Sequence, residues 1–175
     1  MFKYFLISSS RYEEQNSLSE AFWILKTIYN INVLRAINLP IHGLGMLESN
    51  TLHSLTIKNI DILSLLKEPI HYCRKIVPLE FYAKYSEQNL LNWINIAKLR
   101  LKQDQSWRIT IKKRQSQIKS NHLITIIAQE IDIGEVDLNN PDKIFQVEIL
   151  GSHYAACLLS QNQILNFSNT MTTKK

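Results

Sequence analysis

Lysine and arginine side chains crowd into one window of this sequence. Residues 98–119 hold eight of them, Lys98, Arg100, Lys102, Arg108, Lys112, Lys113, Arg114 and Lys119, against the single Asp104, a local charge of +7. Residues 1–97 are nearly balanced, nine basic against eight acidic. Residues 130–148 reverse the sign, with Glu130, Asp132, Glu135, Asp137, Asp142 and Glu148 against Lys143. The chemistry open to so dense a cationic segment is neutralisation of a polyanion, and nucleic acid is the commonest polyanion that a soluble intracellular domain meets. A solvated helix end followed by an edge strand is the alternative for the same charges.

Other chemistries lack their residues. The five histidines, at 42, 53, 71, 122 and 153, are scattered, with no HExxH and no His/Cys/Asp cluster at metal-ligand spacing. There is no GxSxG and no Walker loop, and Gly43-Leu44-Gly45 is followed by Glu48 where a dinucleotide fingerprint needs glycine. Glu13 and Glu14 stand near a helix start, where the helix dipole accounts for them better than acid–base work does. Neither a catalytic constellation nor a metal or cofactor is expected. Cys73 and Cys157 form no CxxC pair and read as buried small hydrophobes.

The class of chain follows from its make-up. With 175 residues, 45% hydrophobic, 20% charged, and only 4 Gly and 4 Pro, it is long enough and apolar enough to bury a core. No apolar run approaches the roughly 18 residues of a bilayer span, and Met1–Ile7 is too short for the apolar region of a signal peptide. A soluble cytoplasmic protein is expected, with no membrane partner.

The elements that must carry the charges come in two sets. Tyr4–Ile7 reads as a strand, and Leu18, Ala21, Phe22, Leu25, Ile28 and Tyr29 repeat at helical spacing. Val33–Ile37 and Leu44–Leu47 read as strands. Asn59 is placed to cap a helix bearing Ile60, Leu63 and Leu66, and residues 71–77 read as a final strand closed by Pro78. The order strand, helix, strand, strand, helix, strand over residues 1–80 is the ferredoxin-like arrangement, in an α+β protein. Residues 79–85 have neither period and are expected to be a linker. Tyr82 and Tyr85 within it suit either stacking on unpaired bases or packing between domains.

A second domain is expected over residues 81–165. Ser86 caps a helix whose Leu90, Ile94, Ala97 and Leu101 share one face. Trp107, Ile109 and Ile111 alternate with Arg108, Thr110 and Lys112, a half-buried strand with a cationic outer face. Ser120 or Asn121 is expected to cap the next helix, with Ile124, Ile127, Ala128 and Ile131 inward and Gly134 as its left-handed stop. Residues 136–138 read as a short strand and 139–142 as a turn. Gly151-Ser152 joins two strands as a two-residue hairpin that sets Ile149 opposite Tyr154, Val147 opposite Ala156 and Phe145 opposite Leu158. Residues 166–175 are polar and expected to fray.

The succession Trp107-Arg-Ile-Thr-Ile-Lys-Lys-Arg, a capped helix, Val136-Asp-Leu-Asn-Asn-Pro-Asp-Lys and Val147-Glu-Ile-Leu-Gly resembles a THUMP domain over about residues 82–160. The resemblance implies an α/β RNA-binding module of the kind found in tRNA-modifying enzymes, preceded by a ferredoxin-like domain. A chain of these two parts is similar to the stand-alone THUMP adaptor of tRNA N4-acetylcytidine formation. That similarity implies a non-catalytic partner that holds the tRNA acceptor end for a separate modifying enzyme, an acetyltransferase if the likeness to that adaptor extends so far. Two alternatives stay open. One is a protein-interaction module without RNA binding, and the other an RNA-modifying enzyme whose site the motifs do not reveal.

The residues expected to bind RNA are Arg108, Lys112, Lys113, Arg114 and Lys119, near a helix start whose backbone N–H groups add to their field. By the resemblance, Asn140 and Lys143 join them. Asp137, Pro141 and Gly151 are assigned to holding the turn and the hairpin.

Overall fold

The computed structural model describes residues 1–53 and 69–168. They divide into two compact units, Met1–Leu79 with the chain from Asn162, and Glu80–Gln161. Each has one five-stranded sheet.

The first unit comprises β1 (Phe2–Ser8), α1 (Glu14–Thr27), β2 (Val33–Ile37), β3 (Leu44–His53), β4 (Lys75–Leu79) and the two-residue β10 (Leu165–Asn166). The strands lie in the order β10-β4-β1-β3-β2, every pair antiparallel. On α1 the buried positions are Ser17, Leu18, Ala21, Ile24 and Leu25, at the spacing of one helix face. Phe22, expected inward, lies outside that stripe and is exposed. The helix expected from Asn59 falls outside the described residues.

The strand expected over residues 71–77, β4, starts later than the alternation suggests. The backbone N–H groups of His71, Tyr72 and Cys73 all donate to the Glu20 carboxylate of α1, at 2.8, 2.8 and 2.7 Å. Donors committed to a carboxylate cannot enter a ladder, so pairing begins only at Lys75. Pro78, expected to close the strand, lies within it opposite Phe5. It is tolerated because β10 pairs only with Lys75 and Ile76, leaving an open edge at the proline. Asn166 is in β10 and Phe167 is buried, where a fraying polar tail was expected; residues beyond 168 lie outside the described set.

The second unit comprises β5 (Phe81–Lys84), α2 (Glu87–Lys98), β6 (Ser106–Arg114), α3 (Ser120–Glu130), β7 (Glu135–Val136), β8 (Lys143–Leu150) and β9 (His153–Leu159). The sheet order is β5-β9-β8-β6-β7, with β6 parallel to both β7 and β8. The segment expected to be a linker is therefore partly strand, with Phe81–Lys84 paired to β9 as an edge. An edge strand of three half-buried residues and an exposed lysine shows no clean period, which is why alternation missed it.

One face of this sheet is covered by the two helices. Leu90, Trp93, Ile94 and Ala97 of α2 and Leu123 and Ile127 of α3 pack with Trp107, Phe145, Val147, Ile149 and Tyr154. Ser86 caps α2 by accepting from Asn89 N at 3.1 Å. The inner face of α3 differs from the one expected: Leu123, Ile126 and Ile127 are buried, while Ile124 and Ala128 are exposed. The run Leu-Ile-Thr-Ile-Ile-Ala fits the helical period in two rotations, so only packing chooses between them. The helix stops with Ile131 in extended conformation, and left-handed Gly134 sits beyond it, ahead of β7. The β8–β9 hairpin has the predicted register throughout, from Leu150 opposite His153 to Ile144 opposite Leu159. No helix among the described residues is long and apolar enough to cross a membrane.

Candidate nucleic-acid interface

Register decides which side chains share a surface, because partners opposite one another in a sheet project to the same side. Trp107 is opposite Lys143 and belongs to the helix-covered face. Arg108, Thr110, Lys112 and Arg114 therefore project to the other face, beside Ile144, Gln146, Glu148 and Leu150. Lys113 points to the helix side and is exposed.

The predicted cations separate into two groups. Lys112, Lys113 and Arg114 close β6 at the end where Gly151 N donates to Arg114 O at 2.9 Å, and Lys119 stands at the start of α3 just after it. No side chain caps α3, so its first-turn N–H groups add positive potential at this end. Lys143, opposite Trp107, and Arg108 lie toward the other end of β6, roughly 13 to 23 Å from Lys112–Arg114 at about 3.3 Å per residue. Both are engaged there: Arg108 Nη1 donates to Leu138 O at 2.9 Å, and Lys143 Nζ to Ser160 Oγ at 3.0 Å. Asn140 is exposed in the turn near them.

That turn is organised by Asp137. Its Oδ1 accepts from Asn139 N at 2.8 Å and Asn140 N at 3.0 Å. These backbone bonds, from Asn140 first, hold the Asp137 carboxyl below the usual carboxylate range. Pro141 is buried, and Asp142 accepts from Ser106 N at 2.8 Å, fastening the turn to the start of β6.

The cationic end of β6 also gathers residues that the charge count did not single out. Lys84, the last residue of β5, is exposed and opposite His153. The His153 ring stacks on Tyr82, centroids 5.3 Å apart. Tyr85 packs edge-on against Tyr154, and burial, followed by the charge of Glu87, pushes its hydroxyl pKa up. His122 in the first turn of α3 meets Glu87 in the first turn of α2 at 3.1 Å. Lys84 was hidden in the segment read as a linker; the histidines carried no local signal at all.

Neither cysteine has the features of a nucleophile. Cys73 is buried and its thiol pushed up to about 12, mainly by burial and then by the charge of Glu20. Burial raises Cys157 well above its ordinary value. Among the described residues no three His, Cys, Asp or Glu side chains are grouped to hold a metal ion.

No family model matches this sequence, and no curated protein is significantly similar to it. Solved structures are similar in fold. PH1313 from Pyrococcus horikoshii Ot3 superposes with a TM-score of 0.61 at 12% identity, over 94% of this chain and 55% of that one. A 4-thiouridine synthetase crystallised with RNA and bound ATP gives 0.57 at 13% identity, over 95% and 42%. TrmN from Thermus thermophilus gives 0.55 at 15% identity, over 91% and 46%. The chain thus has the mixed α+β fold of these proteins along nearly its whole length, and spans about half of theirs.

Proposed function

We propose that the chain is a tRNA-binding module of THUMP type, with a ferredoxin-like first unit, that presents the acceptor end of tRNA to a separate modifying enzyme and performs no chemistry itself. The observation that carries the reading is the cluster Lys112, Lys113, Arg114 and Lys119 beside the uncapped start of α3. Its support is the fold shared with a synthetase that was crystallised with RNA. Phosphates are met there by mobile cations and helix N–H groups together, an arrangement that positions an RNA backbone without reading bases. A cytoplasmic location goes with this function. The THUMP resemblance favours an acetyltransferase forming N4-acetylcytidine as the enzyme served.

Binding of the purified protein to intact tRNA, and to the same tRNA trimmed of its unpaired 3′ nucleotides, tests the reading. Salt-sensitive binding that is lost on trimming is the expected result. With about five single-strand phosphate contacts, log affinity should fall against log salt with a slope of about −3.5. Replacing Lys112, Lys113 and Arg114 together by Ala should abolish binding with little change in melting temperature. Retained binding would overturn the site, and turnover of tRNA by the purified chain with an acetyl donor would overturn the non-catalytic role.

A further inference from the structure

At the hairpin end of the second unit the sheet carries a row of side chains at one level. Arg114 of β6 is opposite Leu150 of β8, Leu150 opposite His153 of β9, and His153 opposite Lys84 of β5. All four project from the face away from the helices, because registered neighbours share a face. Three strand spacings of about 4.8 Å make the row roughly 14 Å wide. Leu150 is buried at its middle, while Arg114 and His153 are half-buried and Lys84 is exposed.

Resting on the tRNA-binding reading above, we infer that Lys84 and His153 are phosphate-contacting residues, and that the RNA backbone crosses the ends of the strands from Lys119 and Arg114 to Lys84. The other route, along β6 toward Arg108 and Lys143, is opposed by the bonds that those two cations already make to Leu138 O and Ser160 Oγ. A phosphate on that route must compete with carbonyl and hydroxyl acceptors already in place. Across the strand ends, no hydrogen bond or ion pair among the described residues fixes the ammonium groups of Lys84, Lys113 and Lys119, and the stack on Tyr82, with Ser152 Oγ 3.2 Å from His153 Nδ1, holds the His153 ring at the same level as Lys84. Flexible ammonium groups beside an oriented ring are suited to a backbone met in more than one conformation.

The test compares two double variants of the full chain for intact tRNA binding over a range of salt. Lys84→Gln with His153→Gln should weaken binding by about tenfold and flatten the log–log salt slope by about one. Arg108→Gln with Lys143→Gln should bind as the parent does, measured where circular dichroism shows the chain folded. Because His153→Gln also removes the stack on Tyr82, Lys84→Glu alone serves as a second probe, expected to weaken binding at least as much. Parent-like affinity for both Lys84 variants would overturn this path, and the RNA-binding reading would stand as long as the Lys112, Lys113 and Arg114 variant loses tRNA. Weakening by the Arg108 and Lys143 variant equal to that of the Lys84 variant would also overturn it. No tRNA binding by the parent chain would overturn both.

Discussion

His122 Nε2 lies 3.1 Å from Glu87 Oε2, joining the first turn of α3 to the first turn of α2. The contact places a carboxylate at the end of the second unit where Lys84, Lys113, Arg114 and Lys119 gather. A negative charge there favours the start of α2 through the helix dipole and opposes an approaching phosphate. Glu87→Gln should therefore raise tRNA affinity by about two- to threefold at low salt, and the gain should vanish as salt screens it. Titrations at two ionic strengths check this, and unchanged affinity at low salt would place the RNA away from α2.

Glu48 of β3 is buried between two cations, with Lys3 Nζ at 3.0 Å and Arg35 Nε at 2.7 Å. Burial pushes its carboxyl up, but the hydrogen bonds from Arg35 and Lys3 outweigh burial, and the pKa lies below the usual value. A depressed folded-state pKa contributes stability that is present above the unfolded value and lost as pH falls through the folded one. Glu48→Gln should cost about 1–2 kcal/mol at neutral pH. The difference from the parent should shrink on acidification through the carboxylate range. Urea unfolding at neutral and acid pH measures both, and a cost independent of pH would rule out the ion pairs as its source.

Two left-handed glycines in the second unit should respond differently to alanine. Gly134 has φ +74°, and a Cβ there would collide with the Gln105 carbonyl oxygen. Gly151 has φ +62°, with its nearest neighbour at the distance of ordinary contact. Gly134→Ala should cost more than about 2 kcal/mol, and Gly151→Ala only the left-handed strain of about 1 kcal/mol. Equal costs in denaturant unfolding would contradict the close backbone approach at Gly134.

Asp137 holds the turn after β7 by accepting two backbone N–H groups. Asp137→Ala should lower the melting temperature while tRNA affinity stays within error, because the turn lies at the opposite end of β6 from Lys112 and Arg114. Asp137→Asn, which retains an acceptor oxygen, should recover much of the loss. A fall in affinity without a fall in stability would assign the residue to RNA instead.

Local patterns in the sequence determined the elements whose energetics are local. The Ser86 cap and the i, i+3, i+4 spacing define α2, because each helical residue interacts with neighbours one turn away. The Gly151-Ser152 turn and the alternation on both sides define the β8–β9 register, since a slip of one residue would turn every inward side chain outward. The excess of cations before α3 was equally plain from composition.

What required the tertiary structure was the grouping of these parts. Two rotations of α3 satisfy the same periodicity, and only packing against β6 and α2 buries Leu123 instead of Ile124. Strand β5 is too short and too near an edge to show a period, so the place of Lys84 opposite His153 is set by pairing with a strand some seventy residues later. Charge along the chain likewise counted Arg108 and Lys143 with Lys112 and Arg114. The parallel pairing of β6 with β8 puts Lys143 opposite Trp107, at the far end of β6 from Arg114, because position across a sheet follows from strand direction and register, which no single segment encodes.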